Sequence, residues 1–147
     1  MANAIFSIEK PVNEPVLSYA PGSPERETLK AKLAECRSAT VEIPVLVGGR
    51  EVMTGDTAEC RPPHDHQHLL GTCHRAGRAE ISAAVAAAVE ARGAWSRMAW
   101  EDRLSIFLKA ADLLAGPYRA AANAATMLCQ SKNAFQAEID SACELID

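Results

Sequence analysis

From Arg78 onward the sequence keeps a three-and-four spacing, and that spacing limits what the chain can fold into more than any other feature. Ile81, Ala84, Val85, Ala88, Arg92 and Trp95 follow one helical stripe. Leu104, Phe107, Leu108, Ala111 and Ala115 follow a second. Ile106, Ala110 and Leu113 make that second helix apolar on a further side, so it is expected to be well buried. Trp95 and Trp100 are expected in the core, because large aromatic rings gain most from burial. Gly116-Pro117 closes the second helix and opens a third, PYRAAANAATMLCQ, since proline suits a first helical turn. A fourth begins near Phe135 and carries Ile139, Ala142, Cys143 and Ile146 on one stripe. It reaches Asp147 with no glycine or proline to stop it. Helices of this kind need a surface to bury against. The strands legible elsewhere are too short to supply one for all four, so a piece of a longer protein is expected.

Upstream of Arg78 the pattern differs. Residues 1–24 carry four prolines and read as an extended arm. ERETLKAKLAECRS, 25–38, suits a short helix with Leu29 and Leu33 four apart. In VEIPVLVGGREVMTGD, two β-rich runs flank Gly48-Gly49, a hairpin signal because glycine supplies the positive φ of a primed turn. Pro44 belongs at a strand start or edge. Pro62-Pro63 marks a loop, and residues 68–76 suit another strand. Residues 1–40 thus form an arm with a short helix, 41–76 a hairpin and strand region, and 77–147 a helical region. The class is α/β, mainly helical in this chain.

Composition excludes several functions. Of 147 residues 48% are apolar, so the chain can form a core. A net charge of −4 with interspersed signs argues against a nucleic-acid groove or a polybasic membrane patch. No run approaches the roughly 20 apolar residues of a membrane helix. The start has neither a secretory signal nor the Arg-rich look of a transit peptide. Five cysteines in no framework spacing read as reduced thiols, which points to the cytoplasm.

The stretch CRPPHDHQHLLGTCH holds all four histidines and two cysteines. On a strand, His64, His66 and His68 would share a face, and three imidazoles plus water make a known zinc arrangement. Cys60 and Cys73 would add thiolates. Against this, no C-x-x-C or H-E-x-x-H spacing is present, and Pro62-Pro63 suits a solvated loop in which histidines are simply polar. No dinucleotide, Walker or nucleophile-elbow motif occurs. Arg78, Arg92, Arg97 and Arg103 read as solvated helix-face charges.

Four stretches together resemble the aldehyde dehydrogenase superfamily, in its Δ1-pyrroline-5-carboxylate branch. They are NEPV with Tyr19 and PGSPER; PVLVGGREVMTGD; AEISAAVAAAVEARGAWSRMAWEDRLSIFLKAADLLAG; and SKNAFQAEIDSACELID. The resemblance runs from Asn13 to Asp147 and makes the chain an N-terminal segment of that fold, with 77–147 the helical part of an incomplete cofactor-binding domain. It implies NAD-dependent oxidation of L-glutamate γ-semialdehyde to glutamate in proline degradation. A cysteine thiolate attacks the aldehyde, backbone and Asn donors hold the oxyanion, hydride passes to the nicotinamide, and a Glu-activated water hydrolyses the thioester. It implies a homo-oligomer and no catalytic metal, leaving the histidines as loop groups. The family's nucleophile, general base and main NAD-binding strand match nothing in these 147 residues, so the isolated chain is expected to be inert. Glu144, in ELID, matches a position near the aldehyde pocket; its alternative role is a solvated helix-face acid. Lys132 matches the lysine of a Gly-Lys pair and reads as structural, but Ser131 replaces the glycine, which questions the local turn. Two rival readings remain: a small metal-binding protein built on His64, His66, His68 and Cys73, and a non-catalytic subunit-interaction module.

Overall fold

The computed structural model describes Ser7 and residues 10–147; the start of the expected arm lies outside the described residues. Residues 10–20 have no regular secondary structure and lead into helix α1, Pro24–Ser38. Its start is set locally: Ser23 has extended backbone, its hydroxyl accepts the Arg26 N–H at 3.4 Å, and Pro24 follows. α1 packs on helix α4, Arg119–Gln130. Leu29 of α1, Ala124 of α4 and Tyr19 of the arm form the buried centre, with Leu17, Leu33, Cys36, Met127 and Ala134 around it.

Strands β1 (Val41–Ile43), β4 (Thr57–Cys60) and β5 (Gly71–His74) form a small mixed sheet in the order β1-β5-β4. β1 runs parallel to β5, and β4 antiparallel to it. Strands β2 (Val45–Val47) and β3 (Arg50–Val52) pair separately as the expected hairpin. Gly48 and Gly49 have φ of +56° and +76°, the two positive values of a primed turn. Pro44 lies between β1 and β2, where no ladder donor is needed.

Helices α2 (Arg78–Arg97) and α3 (Trp100–Ala115) form at the expected places, but their surroundings correct the expected burial. Neither has a buried residue. Ile81, Val85 and Val89 of α2 and Ile106, Phe107 and Leu108 of α3 are exposed. Trp95 and Trp100 are exposed as well, and Trp95 stacks edge-on against Phe107 with ring centroids 6.5 Å apart. Apolar periodicity reports that a face is made to be covered, not that these residues cover it.

After α4 the chain turns at Ser131 and enters short helix α5, Ala134–Ala137. Asn133 and Gln136 close a reciprocal cap, each side chain bonding the other's backbone N–H at 2.9 and 3.1 Å. The fourth helix is not uniformly α-helical. It widens into a π-helical turn over Glu138–Cys143 and returns as α6, Glu144–Ile146.

Candidate functional site

The π turn sits over a buried polar cluster built from the arm, α4 and the turn itself. Glu138 is fully buried. Its Oε1 accepts the Leu17 N–H at 2.8 Å and Arg119 Nη2. Its Oε2 accepts from the Tyr19 hydroxyl at 2.7 Å, Asn123 Nδ2 at 2.8 Å and Arg119 Nε at 3.3 Å. Asn123 Nδ2 also donates to the Tyr19 oxygen at 2.8 Å, so both amide protons are used. Arg119 also donates through Nη1 to Glu14 and through Nη2 to the Pro15 carbonyl at 2.9 Å. Each side-chain polar atom of Glu138, Arg119, Asn123 and Tyr19 has at least one partner, the condition under which a buried ion pair is tolerated.

The titration behaviour follows from this packing. Burial, reinforced by the neighbouring Glu138 carboxylate, pushes the Tyr19 phenol up to about 12. Burial works against ionised Glu138, but Arg119, the Leu17 N–H, Tyr19 and Asn123 together outweigh it and hold the carboxyl below its usual value. The Glu138 carboxylate keeps Arg119 charged. Burial raises the Cys143 thiol, so this cysteine is not poised as a nucleophile. Tyr19 itself has φ +53°, a left-handed conformation rare outside glycine, and is anchored by two hydrogen bonds at its phenolic oxygen and one from Arg26 at its backbone carbonyl.

The expected site residues fall as follows. Glu144 is exposed and is the first residue after the π turn. Lys132 pairs with Asp140, a structural ion pair. Ser131 adopts φ +56° and ψ +29°, so the serine takes the left-handed helix cap itself. His64, His66 and His68 lie in consecutive turns, not on a strand, and so are not aligned on one face. His64 Nδ1 lies 2.7 Å from the Ser131 hydroxyl, while Nε2 of His68 is buried without a hydrogen-bond partner among the described residues. His74 accepts the Gly55 N–H on Nδ1 at 3.1 Å, which leaves the proton on Nε2 to meet Glu42 at 2.9 Å. No grouping of three or more metal-binding side chains occurs among the described residues. Nor is Arg103 a simple surface charge, for its Nε is buried without a partner among those residues.

Sequence reasoning missed Glu138, Arg119 and Asn123. One signal was present: Arg119 and Asn123 stand four apart on α4, beside the buried Ala124 and Leu128, so a polar pair interrupts a buried face.

The family model for the "Aldehyde dehydrogenase family" matches residues 52–147. The chain is 49% identical over 145 residues to Delta-1-pyrroline-5-carboxylate dehydrogenase of Agaricus bisporus, covering 98% of this chain and 27% of that protein. It is 46% identical over 135 residues to the mitochondrial enzyme of that name from Bos taurus, covering 92% and 24%. Among solved structures, the Mycobacterium tuberculosis Delta-pyrroline-5-carboxylate dehydrogenase bound with NAD and cobalamin superposes with a TM-score of 0.95 at 46% identity, over 100% of this chain and 28% of that one. The Thermus 1-pyrroline-5-carboxylate dehydrogenase with bound NAD gives 0.87 at 28% identity, over 96% and 27%. The chain therefore spans about a quarter of the length of the curated relatives it matches. On the match over residues 52–147 and an unbroken likeness in fold, the chain belongs to the aldehyde dehydrogenase family.

Proposed function

We propose that these residues are the N-terminal segment of an enzyme that oxidises L-glutamate γ-semialdehyde to L-glutamate with NAD. The observation that carries this reading is identity of 46% to 49%, spread over nearly the whole chain, with enzymes named Delta-1-pyrroline-5-carboxylate dehydrogenase, for the cyclic form of that aldehyde. In this reading residues 1–40 are the arm and first helix, 41–76 the hairpin and small sheet, and 77–147 part of the cofactor-binding domain. Glu144 lines the aldehyde pocket. The cysteine nucleophile and the general base lie outside these residues.

The described residues do not themselves suit a dinucleotide. At the passage from β5 into α2 the helix start is capped by its own acid: Glu80 accepts the Gly77 N–H at 2.8 Å. A carboxylate therefore occupies the end where a pyrophosphate would seek N–H donors. We assign NAD to the remainder of the enzyme and derive no step through it here. What this segment contributes is rigidity: the Glu138 cluster ties the arm, α4 and the π turn into one unit beneath Glu144.

We further propose a cytoplasmic homo-oligomer. No helix among the described residues is long and apolar enough to cross a membrane, and all five cysteines are unpaired thiols. The Bos taurus relative is named as mitochondrial, so cell fractionation decides the compartment. The uncovered faces of α2 and α3 favour a second reading, a non-catalytic module that docks on longer subunits; it predicts co-purification with a full-length dehydrogenase. The test of the main reading is NADH production from the aldehyde. A protein spanning the relatives' full length should turn over and the 147-residue chain should not. Turnover by the chain alone, or an inert full-length protein, overturns the proposal.

A further inference from the structure

The helix entered at Ala134 changes its winding at Glu138. Over Glu138–Cys143 the backbone bonds reach five residues back, ending with the Glu144 N–H on the Ile139 carbonyl. One extra residue in a turn rotates everything after it by about 100° relative to an unbroken α-helix. Glu144 is the first residue after that shift.

The turn is held by side chains. The Ser141 hydroxyl lies 2.6 Å from the Ala137 carbonyl, the oxygen that an α-helix would give to the Ser141 N–H. It also lies 2.8 Å from Oδ1 of the fully buried Asn123. Cys143 Sγ lies 3.9 Å from Glu138 Oε1. Residues five apart stand about 140° apart around an α-helix, so this contact belongs to the wider turn. Glu138 is itself pinned by the arm and α4.

We propose that Ser141 and Glu138 are positioning residues for Glu144: they hold the π turn, and the turn sets the direction in which Glu144 presents its carboxylate to the aldehyde substrate. This rests on the pocket role proposed for Glu144. Neither residue touches the substrate. Both act by fixing the phase of the helix that carries the one that does.

The test is steady-state kinetics of the full-length protein, with the aldehyde and NAD varied separately, for E144Q, S141A, S141T and the double variant S141A/E144Q. S141A should raise KM for the aldehyde about fivefold, the scale of one lost hydrogen bond, with KM for NAD unchanged. S141T keeps the hydroxyl and should restore the wild-type KM. The double variant should match E144Q alone, because Ser141 acts only through Glu144. S141C, of similar size and with a weaker donor, stands in if S141A does not fold; its effect should be smaller and of the same sign. Multiplying effects of S141A and E144Q, a shift in both KM values, or no shift with S141A overturns the inference while leaving the pocket role intact. An unchanged aldehyde KM for E144Q removes the pocket role and the inference with it.

Discussion

Replacing Glu138 by Gln keeps the shape of the side chain and removes one acceptor and the charge. The carboxylate accepts five donors: the Leu17 N–H and Arg119 Nη2 on one oxygen, and Tyr19, Asn123 and Arg119 Nε on the other. A glutamine can turn its oxygen to only one side. With the oxygen toward Tyr19, the amide protons face Leu17 and Arg119, and two bonds are lost, one of them to a charged group. The opposite orientation loses three. Two such losses in a fully buried setting amount to about 3–5 kcal/mol, the range found when one partner of a buried ion pair is removed. That figure is the cost of leaving Arg119 mismatched; the intact pair is worth less, because burying it cost solvation. Urea unfolding followed by circular dichroism should show the midpoint fall by about 2 M for a slope of about 2 kcal/mol per M. The pH dependence supplies the sign. Glu138 has a folded pKa below its usual 4.5, so its contribution is complete above 4.5 and is lost as pH falls through the folded value. The gap between wild type and variant should therefore close under acid conditions. A gap below about 1 kcal/mol at pH 7, or one that stays constant into acid, refutes the reasoning.

Three further outcomes follow from the same structure. Tyr19→Phe removes a donor to Glu138 and an acceptor for Asn123, and should cost about 1–3 kcal/mol in urea unfolding. In the wild type, the stability tied to this phenol is complete below 10 and is lost as pH rises through about 12, so the alkaline limb should flatten in the variant. Gly71→Ala should loosen β1 from β5, because a Cβ there runs into the Val41 backbone carbonyl; a destabilisation of about 1–3 kcal/mol is expected, with faster amide exchange at Val41. The 147-residue chain alone should bind a hydrophobic dye through the exposed faces of α2 and α3 and self-associate as concentration rises. Mutating Phe107 and Leu108 to Ser should reduce both effects, and an unchanged dye signal would locate the apolar surface elsewhere.

Much of the local structure was legible from residue spacing. α1, the Gly48-Gly49 hairpin, α2, α3 and α4 arise where periodicity and turn chemistry point to them. Strands β1 and β4 were not legible. They are three and four residues long, and β1 is completed by a parallel partner some 30 residues away, Val41 against Gly71, which leaves no local period to read. The π turn was hidden for a different reason. Ile139, Ala142, Cys143 and Ile146 satisfy an α-helical stripe, while the bonds that hold Glu138 at the start of the turn come from Tyr19, Asn123 and Arg119, distant in the chain. Burial of α3 and of Trp95 and Trp100 was read too strongly, since a stripe records a face that needs covering and is silent about what covers it. The polar cluster escaped because glutamate and arginine on helices are solvated far more often than they are buried.

The long separation between Glu138 and its arm partners has a consequence for synthesis. Tyr19 meets Glu138 across 119 residues and Leu17 across 121. On a ribosome adding about 5–20 residues per second, the arm waits about 6–24 seconds for the acid that fixes it. Until then the left-handed backbone at Tyr19 has no Glu138 bond to hold it, and Arg119 emerges before its buried counter-charge. The arm therefore docks late, as a latch drawn across α4 once the turn at Glu138 exists. Chaperones that shield nascent apolar segments would find residues 10–20 free through that interval, although they are the first of the cluster to be made.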